Sequence, residues 1–334
     1  MKYYAIESEF GFDNMKMFDG SEPGPGFGQV LVKMKAASLN YRDLLIISGK
    51  YPVRSLPLIP FSDGAGEVVE IGEGVTRFKP GDRVAGIFFP KWLSGPIDAA
   101  KANSALGGAL DGILAEFVVF HEDGLVAIPA HFSYEEAATL PCAAVTAWNG
   151  LTSGGITCGQ SVLTMGSGGV SIFALQLAKA AGARVIATSG SDCKLERLIQ
   201  MGASDGINYK AVPDWENRVI ELTDGIGVDL VIEVGGAGTF AKSLRAVRLG
   251  GHISLIGVLT GASGDAGPTA AIRKSVRMQG IYVGSREMFE AVIRVMTLHR
   301  IKPVIDRVFA FDAVKEALHY MKSGSHVGKV VLSF

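Results

Sequence analysis

The sequence predicts an α/β chain of two domains, an irregular β-barrel and a doubly wound parallel sheet. Three observations support this fold class. Short β-prone segments separated by Gly and Pro turns occupy about the first 130 residues. From about residue 134, predicted strands and helices alternate. A strand, a glycine-rich turn and a helix follow one another at residues 161–181, early in that alternation.

The β-prone part contains three runs with strand character, GQVLVKMKAASL, GAGEVVEIG and DRVAGIFF, set among Pro- and Gly-containing turns. Residues 89–112 are small and polar with few strongly apolar positions, which predicts a long excursion between strands. The run AEFVVF then resumes the barrel.

The helix-containing part begins with predicted helices at residues 134–140 and around 144–154. The predicted strands that follow lie at residues 161–165, 184–188, 206–209, 228–234, 252–257 and 278–283. The predicted helices among them lie at residues 170–181, 192–201, 215–223 and 239–248. Repeated βα units of this length indicate a Rossmann-type domain, a parallel sheet with helices on both faces.

The tail of the chain returns to mixed elements. It predicts a helix at 287–299, a strand at 307–311, a helix with Asp312 as its N-cap that runs to residue 322, and a last strand, KVVLSF.

The run SVLTMGSGGVS at residues 161–171 predicts a dinucleotide-binding turn. Its candidate binding residues are Gly166, Gly168, Gly169 and Val170. Residues without Cβ let the backbone approach a diphosphate, and unpaired N–H groups at the helix start then face the anion. Ser171 stands where the fingerprint has its third glycine, and such turns also occur in sheets that bind nothing. The motif alone therefore leaves both interpretations open.

Composition and charge narrow the class of protein. The chain has 334 residues, 48% of them hydrophobic, and a formal net charge of -1. It has no basic stripe, so we expect no nucleic-acid partner. The N-terminus has no apolar signal segment and no stretch has transmembrane length, so we expect a cytoplasmic protein without a membrane partner. Three irregularly spaced cysteines indicate neither a disulfide framework nor a Cys-rich zinc site.

Five runs carry a resemblance to a known family. They are SLNYRDLLIISGKYP, IPFSDGAGEVVEIGEGVTRFKPGDRV, LPCAAVTAWNGL, GSGGVSIFALQLAKAAGARVIAT and GSHVGKVVL. Their order resembles the medium-chain dehydrogenase/reductase superfamily, and most of all its zinc-lacking, quinone oxidoreductase-like branch. The resemblance implies a GroES-like catalytic domain at residues 1–143 plus 281–334, an inserted Rossmann domain at residues 144–280, and a homodimer.

The resemblance also implies that a catalytic zinc ion is missing. Where zinc-containing relatives have a Cys ligand this chain has Asn40, and where they have His-Glu it has Ser62 and Asp63. Cys142 retains the residue type of the third ligand position. Asn and Ser would be poor ligands, so we expect no metal. Cys142 is either a small buried residue or, with Asp63, a remnant site for some metal.

Three positions bear on the choice of nicotinamide cofactor. NAD-preferring Rossmann domains carry an acid at the end of the second strand, and this chain has Ser189 there. Lys194 follows on the next helix, and Tyr209 matches a tyrosine that lies against the 2′-phosphate in related quinone reductases. Taken singly, Lys194 could be a solvated charge and Tyr209 a core residue. Jointly they predict NADPH, with NADH as the less favoured cofactor.

The resemblance supplies further candidate residues. Those expected beside the nicotinamide are Thr146, Gly235, Gly257 and Val258. Those expected to donate hydrogen bonds to a developing oxyanion are Asn40, Tyr41 and Tyr51. Each also has a purely structural interpretation, such as turn packing for Tyr51 before a proline.

These observations leave three hypotheses for function. The first is a zinc-independent, NADPH-dependent reductase of small quinones or α,β-unsaturated carbonyls. The second is an NAD(P)-dependent alcohol or carbonyl dehydrogenase of the zinc type. The third is a dinucleotide-binding protein without catalytic activity.

Overall fold

The structure, a computed structural model, describes residues 1–261 and 268–334. The chain divides into two units, which we call the first unit, Met1–Val145 with Gly284–Phe334, and the second unit, Thr146–Val283. The second unit is thus an insertion within the sequence of the first. The boundaries expected from the sequence were after residues 143 and 280.

The described residues form fifteen strands and eleven α-helices. The strands are β1 (Lys2–Ile6), β2 (Met15–Asp19), β3 (Gln29–Ser38), β4 (Asp63–Ile71), β5 (Arg83–Gly86), β6 (Phe117–His121), β7 (Leu125–Ala127), β8 (Ser161–Met165), β9 (Arg184–Ser189), β10 (Asp205–Asn208), β11 (Val228–Glu233), β12 (Val247–Leu255), β13 (Arg277–Gly280), β14 (Ile305–Ala310) and β15 (Lys329–Ser333).

The helices are α1 (Tyr41–Ile47), α2 (Ala99–Ala102), α3 (Tyr134–Ala138), α4 (Val145–Ser153), α5 (Gly169–Ala180), α6 (Asp192–Gln200), α7 (Trp215–Leu222), α8 (Ala237–Ala246), α9 (Pro268–Arg273), α10 (Arg286–Leu298) and α11 (Val314–Lys322). Short 3-10 turns lie at Glu122–Gly124 and Phe311–Ala313, and a π-helical turn at Leu140–Ala144 precedes α4.

The first unit is built on a seven-stranded sheet. Six of its strands follow one another in the order β14-β15-β3-β4-β5-β7. The seventh strand, β6, pairs with residues 29–33 of β3, whereas β15 pairs with residues 36–38. Strand β3 is central because it pairs with β4, β6 and β15. The pairing of β15 with β3 returns the end of the chain to the first unit and brings the start of β15 beside Leu39 and Asn40.

The excursion at residues 89–112 packs more tightly than its composition suggested. It contains the single-turn helix α2. Phe89, Trp92 and Leu106 are nevertheless buried. A few large side chains therefore anchor a segment whose remaining residues are small, which composition alone did not indicate.

The second unit is a six-stranded sheet in the order β10-β9-β8-β11-β12-β13, with every neighbouring pair parallel. The order reverses between β8 and β11, which is where such sheets bind ligands at the carboxyl ends of their strands. The buried strands explain the apolar runs of the sequence, since both faces of a parallel sheet are covered by helices. The predicted fold class is confirmed.

Several predicted element limits were wrong. The N-cap of α11 is Ala313, not Asp312, because residues 311–313 form a 3-10 turn before the helix. Strand β12 begins at Val247, ahead of the expected residue 252, and β13 ends at Gly280 rather than at residue 283. Among the described residues, no helix has both the length and the apolar character needed to cross a bilayer.

Candidate active site

The glycine turn after β8 leaves open space at the start of α5. Gly166 has φ +76°, a left-handed conformation that favours glycine, whereas Gly168 has ordinary extended angles. Among residues 1–261 and 268–334, no atom lies within 4 Å of the place where a Cβ would stand on either residue. Gly168 is the N-cap of α5, and no side chain of these described residues caps the helix. The free space and the uncapped N–H groups fit a dinucleotide diphosphate.

Ser171 explains how the turn forms without its third glycine. The side chain is buried, and its hydroxyl donates to the Met165 carbonyl oxygen over 2.5 Å. This bond joins the first turn of α5 to the last residue of β8. Serine can therefore replace glycine here, because its hydroxyl finds a partner where the helix and the strand approach closely.

The turn after β11, unlike the glycine turn after β8, is occupied by a side chain of the protein. Glu233 is fully buried, and its Oε1 accepts from the Gly235 N–H, the Gly236 N–H and the Thr239 hydroxyl over 2.7–3.0 Å. Its Oε2 accepts from the Ser243 hydroxyl. The start of α8 is thus filled by a carboxylate of the protein itself, which a helix N-terminus favours.

The glycines predicted beside the nicotinamide are closely packed by other atoms of the protein. A Cβ on Gly257 would lie 2.2 Å from the Val234 carbonyl oxygen, and one on Gly235 would lie 2.2 Å from the Thr239 hydroxyl. Close packing against backbone therefore requires glycine at Gly257, whereas a Cβ on Gly235 would displace the Thr239 side chain. Val258, which follows Gly257, is 46% exposed, and Thr146 is buried in the first turn of α4. Contact of these residues with a nicotinamide stays a prediction.

The structure brings two of the three residues predicted to distinguish the cofactors, Ser189 and Tyr209, into contact in the second unit. Ser189 is the buried last residue of β9, and its carbonyl oxygen accepts from the Tyr209 N–H over 3.0 Å. The Tyr209 hydroxyl covers Gly190, since a Cβ on that glycine would lie 2.7 Å away. Lys194 lies in the first turn of α6, the helix that follows.

In the first unit, α1 begins with a buried polar cap. The Asn40 N–H donates to Asp43 Oδ2 over 2.7 Å, so Asp43 completes a capping box. Both side chains are buried, whereas Tyr41 is 44% exposed. Asp43 Oδ1 and Asn40 Nδ2 have no hydrogen-bond partner within 3.5 Å among the described residues. Buried polar atoms without partners are typical of functional sites or of sites that hold water.

Arg42 connects α1 to the excursion. Its guanidinium stacks on the rings of Tyr51 and Phe88, at 5.2 Å and 4.7 Å from their centres, and donates to the Leu106 carbonyl oxygen over 2.8 Å. The resemblance to alcohol dehydrogenases implies a proton-relaying hydroxyl residue at this position, whereas this chain has Arg42, whose guanidinium packs against Tyr51 and Phe88.

Asp63 begins β4 beside this cap and is fully buried. Its Oδ1 accepts from the Ser62 hydroxyl over 2.6 Å and its Oδ2 from the Cys142 N–H over 2.9 Å. Lys329, the first residue of β15, is 4% exposed. Its ammonium donates to the Leu39 carbonyl oxygen and to Asn40 Oδ1. Four segments distant in sequence thus meet in one cluster.

The electrostatics of this cluster are dominated by burial. Burial raises the pKa of the Asp43 carboxyl to about 7, although Arg42 and the Asn40 N–H act in the opposite direction. Burial also raises the pKa of Asp63, against the Lys329 ammonium and the hydrogen bonds of the site. Burial, assisted by Asp63, raises the pKa of the Cys142 thiol. In the metal-free chain, burial thus favours the protonated form of the Cys142 thiol, as expected for a small buried residue.

The cluster does not fit a zinc ion. A catalytic zinc takes about three protein ligands with good donors. Here the candidate donors are a neutral amide oxygen, Asn40 Oδ1, which accepts from Lys329, and the Ser62 hydroxyl, which donates to Asp63, while burial raises the pKa of the Cys142 thiol. Within the part of the chain that the structure describes, no group of three His, Cys, Asp or Glu side chains is placed to hold a metal.

Two residues of these sites were not identified from the sequence. Glu233 had a detectable signal, since it is an acid at the end of an apolar strand and precedes Gly-Gly. Lys329 had no local signal, because its partners lie about 290 residues away, with a separation of 289 from Asn40.

Comparisons with known proteins agree with this architecture. The alcohol dehydrogenase GroES-like domain matches residues 26–130, and the zinc-binding dehydrogenase family matches residues 169–297. A zinc-type alcohol dehydrogenase-like protein of Schizosaccharomyces pombe is 44% identical over 99% of both chains. An acryloyl-coenzyme A reductase of Metallosphaera sedula is 31% identical over 93% of this chain and 94% of its own.

A solved structure shows the same arrangement over the whole chain. A proposed alcohol dehydrogenase of Sinorhizobium meliloti 1021 superimposes with a TM-score of 0.93 at 40% identity, covering 100% of this chain and 99% of that one. The fold, the open glycine turn and these similarities agree. The chain belongs to the medium-chain dehydrogenase/reductase superfamily and is an NAD(P)-dependent oxidoreductase.

Proposed function

We propose that the protein is an NADPH-dependent reductase that transfers hydride to a quinone or an α,β-unsaturated carbonyl without zinc. The observation that carries the proposal is the donor set around Asn40. Its Oδ1 already accepts from Lys329 and the Ser62 hydroxyl already donates to Asp63, and neutral amide and hydroxyl oxygens are poor zinc ligands. The acceptor must therefore be one that needs little electrophilic assistance.

The cofactor would bind to the second unit. Gly166 and Gly168 leave space for the diphosphate at the start of α5, whose N–H groups would donate to it. Bound there, the nicotinamide would supply the hydride. The buried Ser189 leaves room for a 2′-phosphate, and Tyr209 and Lys194 would contact that phosphate. NADH remains the less favoured cofactor.

The substrate class follows from the chemistry of the first unit. Without a Lewis acid, negative charge that develops on the substrate oxygen is stabilised by hydrogen-bond donors. Conjugation in a quinone or enone already spreads that charge, so weak donors suffice, whereas a simple ketone lacks this help. We propose Tyr51, Tyr41 and Asn40 as the donors. The acryloyl-coenzyme A reductase among the relatives acts, by its name, on a conjugated thioester.

The test is oxidation of NADPH, and separately of NADH, followed by absorbance with quinones, enones and simple ketones before and after chelator treatment. We expect turnover of conjugated acceptors with NADPH that the chelator does not change. Tyr51→Phe should lower kcat at least about 10-fold. Tyr134→Phe is the matched control, because this tyrosine also carries an arginine on its ring, Arg83 at 4.5 Å.

A second candidate is a metal-dependent alcohol dehydrogenase, which the printed name of the S. pombe relative favours. Activity confined to alcohols and simple ketones and lost with chelator would support it and would contradict our proposal. NADPH binding without turnover of any acceptor would also contradict it and would leave a binding role.

We also propose that the protein is a homodimer joined along β13. All four residues of this strand are exposed, including Met278, and among the described residues β13 pairs with β12 alone. An open strand edge is a template for pairing with a second chain. Light scattering after gel filtration should give twice the chain mass, and a monomeric mass at micromolar concentration would contradict the proposal.

A further inference from the structure

The excursion ends in the run LGGALDG, residues 106–112, one side of which packs against the backbone that leads into the Asp63 cluster. A Cβ on Gly107 would lie 2.6 Å from the Phe61 carbonyl oxygen, and one on Gly112 would lie 2.0 Å from the same oxygen. Two glycines therefore let the run lie directly on the residue that precedes Ser62.

The other side of the run holds the Arg42 guanidinium of α1. Its Nη1 donates to the Leu106 carbonyl oxygen over 2.8 Å. A Cβ on Gly108 would lie 2.4 Å from Nη2, so the glycine makes room for the guanidinium. The centres of the Tyr51 and Phe88 rings lie 5.2 Å and 4.7 Å from its central carbon. Arg42 thus connects α1 and Tyr51 to both ends of the excursion.

Two nitrogens of this guanidinium are buried without a hydrogen-bond partner. They are Nε and Nη2, and neither has an acceptor within 3.5 Å among the described residues. Donors of a charged group that are buried and unpaired cost free energy. A planar cation can nevertheless pack on rings while it donates in its own plane, which the ammonium of a lysine cannot do. The arrangement therefore favours a role in fixing the ring over a role in stability.

We propose that Arg42 is a positioning residue that fixes the Tyr51 ring against the end of the excursion. The inference deepens the proposed function and rests on it, because Tyr51 is there one of the donors to the substrate oxygen. A donor that is already held in place loses little freedom when the substrate binds, so even a weak donor contributes to the rate. Arg42 acts through Tyr51 and does not touch the substrate.

The first test measures backbone hydrogen exchange by mass spectrometry, without substrate or dinucleotide. The Arg54 N–H donates to the Gly108 carbonyl oxygen over 3.1 Å, so it reports on the segment after Tyr51 and on the excursion together. Arg42→Met should speed exchange at least about 5-fold in peptides covering residues 49–56 and 104–112. Gly108→Ala should do the same, because its methyl group displaces the guanidinium and its backbone is not left-handed.

Arg83→Met is the matched control for hydrogen exchange. The Arg83 guanidinium also packs on a tyrosine ring, 4.5 Å from the centre of Tyr134, and donates to a carbonyl oxygen, that of Phe132, over 2.6 Å. Its loss should leave exchange at residues 49–56 and 104–112 unchanged. Unchanged exchange there in folded Arg42→Met would overturn the proposal. If that variant does not fold, Gly108→Ala decides by the same criterion.

The second test determines whether Arg42 acts through Tyr51, and it uses a quinone or enone that the native protein reduces with NADPH. Arg42→Lys keeps the charge but not the planar group, and should lower kcat about 10-fold while KM for NADPH stays within about 2-fold. In the Tyr51→Phe protein the same change should lower kcat less than about 2-fold, because the hydroxyl that Arg42 places is already gone. Equal loss in both backgrounds would overturn the proposal.

The two tests can fail separately from the proposed function. A native protein that reduces no acceptor would refute the proposed reductase. Hydrogen exchange needs no acceptor, so it would still decide whether Arg42 fixes Tyr51 and the excursion.

Discussion

Two helices of the second unit begin at the carboxyl ends of neighbouring parallel strands, yet their N-termini differ. α5 follows β8, and α8 follows β11, its neighbour in the sheet. Within the described residues, the start of α5 has no capping side chain, and the space around Gly168 is open. The start of α8 contains the Glu233 carboxylate, bonded to the turn and to two hydroxyls of the helix.

The difference shows how one feature of helices serves two purposes. Both N-termini favour an anion because N–H groups and the helix dipole point at it. At α8 the protein supplies the anion, so the site orders the chain. At α5 no side chain of the described part of the chain fills the site, which leaves space for the diphosphate of the proposed cofactor.

The largest expected effect on stability comes from disturbing the closely packed turn that precedes α8. Gly257→Ala would put a Cβ 2.2 Å from the Val234 carbonyl oxygen, a backbone atom that cannot easily move. We expect the free energy of unfolding to fall by about 4 kcal/mol or more, measured by denaturant titration. Gly24→Ala is the control, because no atom lies within 4 Å of its Cβ position. Equal stability of the two variants would show that the turn after β12 is not closely packed.

The second-largest effect on stability concerns Asp43, a buried carboxyl that accepts fewer hydrogen bonds than Glu233 does. Asp43 accepts from the Asn40 N–H, and burial raises its pKa from 3.8 to about 7. Because the folded-state pKa is raised, its stabilisation is fully present below about pH 4 and is lost as the pH rises through 7. Asp43→Asn should remove this loss in the free energy of unfolding, which is at most about 4 kcal/mol.

The measurement for Asp43 is the free energy of unfolding of both proteins from pH 4 to pH 8. The difference between variant and native protein should grow in favour of Asp43→Asn across that range. Parallel pH profiles would mean that the carboxyl ionises in the folded protein as it does in the unfolded chain.

A smaller effect, on cofactor affinity rather than on stability, is expected at the start of α5. Gly168→Ala places a methyl group where no protein atom lies within 4 Å, at ordinary backbone angles. Stability should therefore stay within about 0.5 kcal/mol of the native value. NADPH affinity, measured by calorimetry, should fall about 10- to 100-fold, because the methyl group blocks close approach of the diphosphate. Unchanged affinity would refute a cofactor role for this turn.

The smallest effect on stability concerns Glu233, the carboxylate at the start of α8. Glu233→Gln keeps the shape of the side chain but removes the charge and turns one acceptor into a donor facing the Ser243 hydroxyl. We expect a loss of about 1–2 kcal/mol in the free energy of unfolding. Glu70→Gln, at an exposed position, should be neutral. If Glu233→Gln weakened NADPH binding as much as Gly168→Ala does, the two helix ends would not have separate roles.

Local sequence patterns predicted most of the strands and helices of the fold. The alternation of strand and helix signals predicted every strand of the parallel sheet, and the central strands β8 and β11 are apolar because they are buried on both faces. Predicted limits failed where a local signal competed with the tertiary setting, as at Asp312, a good capping residue that lies in a 3-10 turn instead. Periodicity does not encode where one kind of turn gives way to another.

The sequence by itself determined the fold class, the glycine turn after β8 and the residue types that replace zinc ligands. These are local properties, set by spacing and side-chain chemistry within a few residues. Only the tertiary structure decided which glycines face open space and which are closely packed, and which side chain contacts Asn40. These depend on contacts between distant segments, such as Lys329 with Asn40, and no local pattern determines which segments meet.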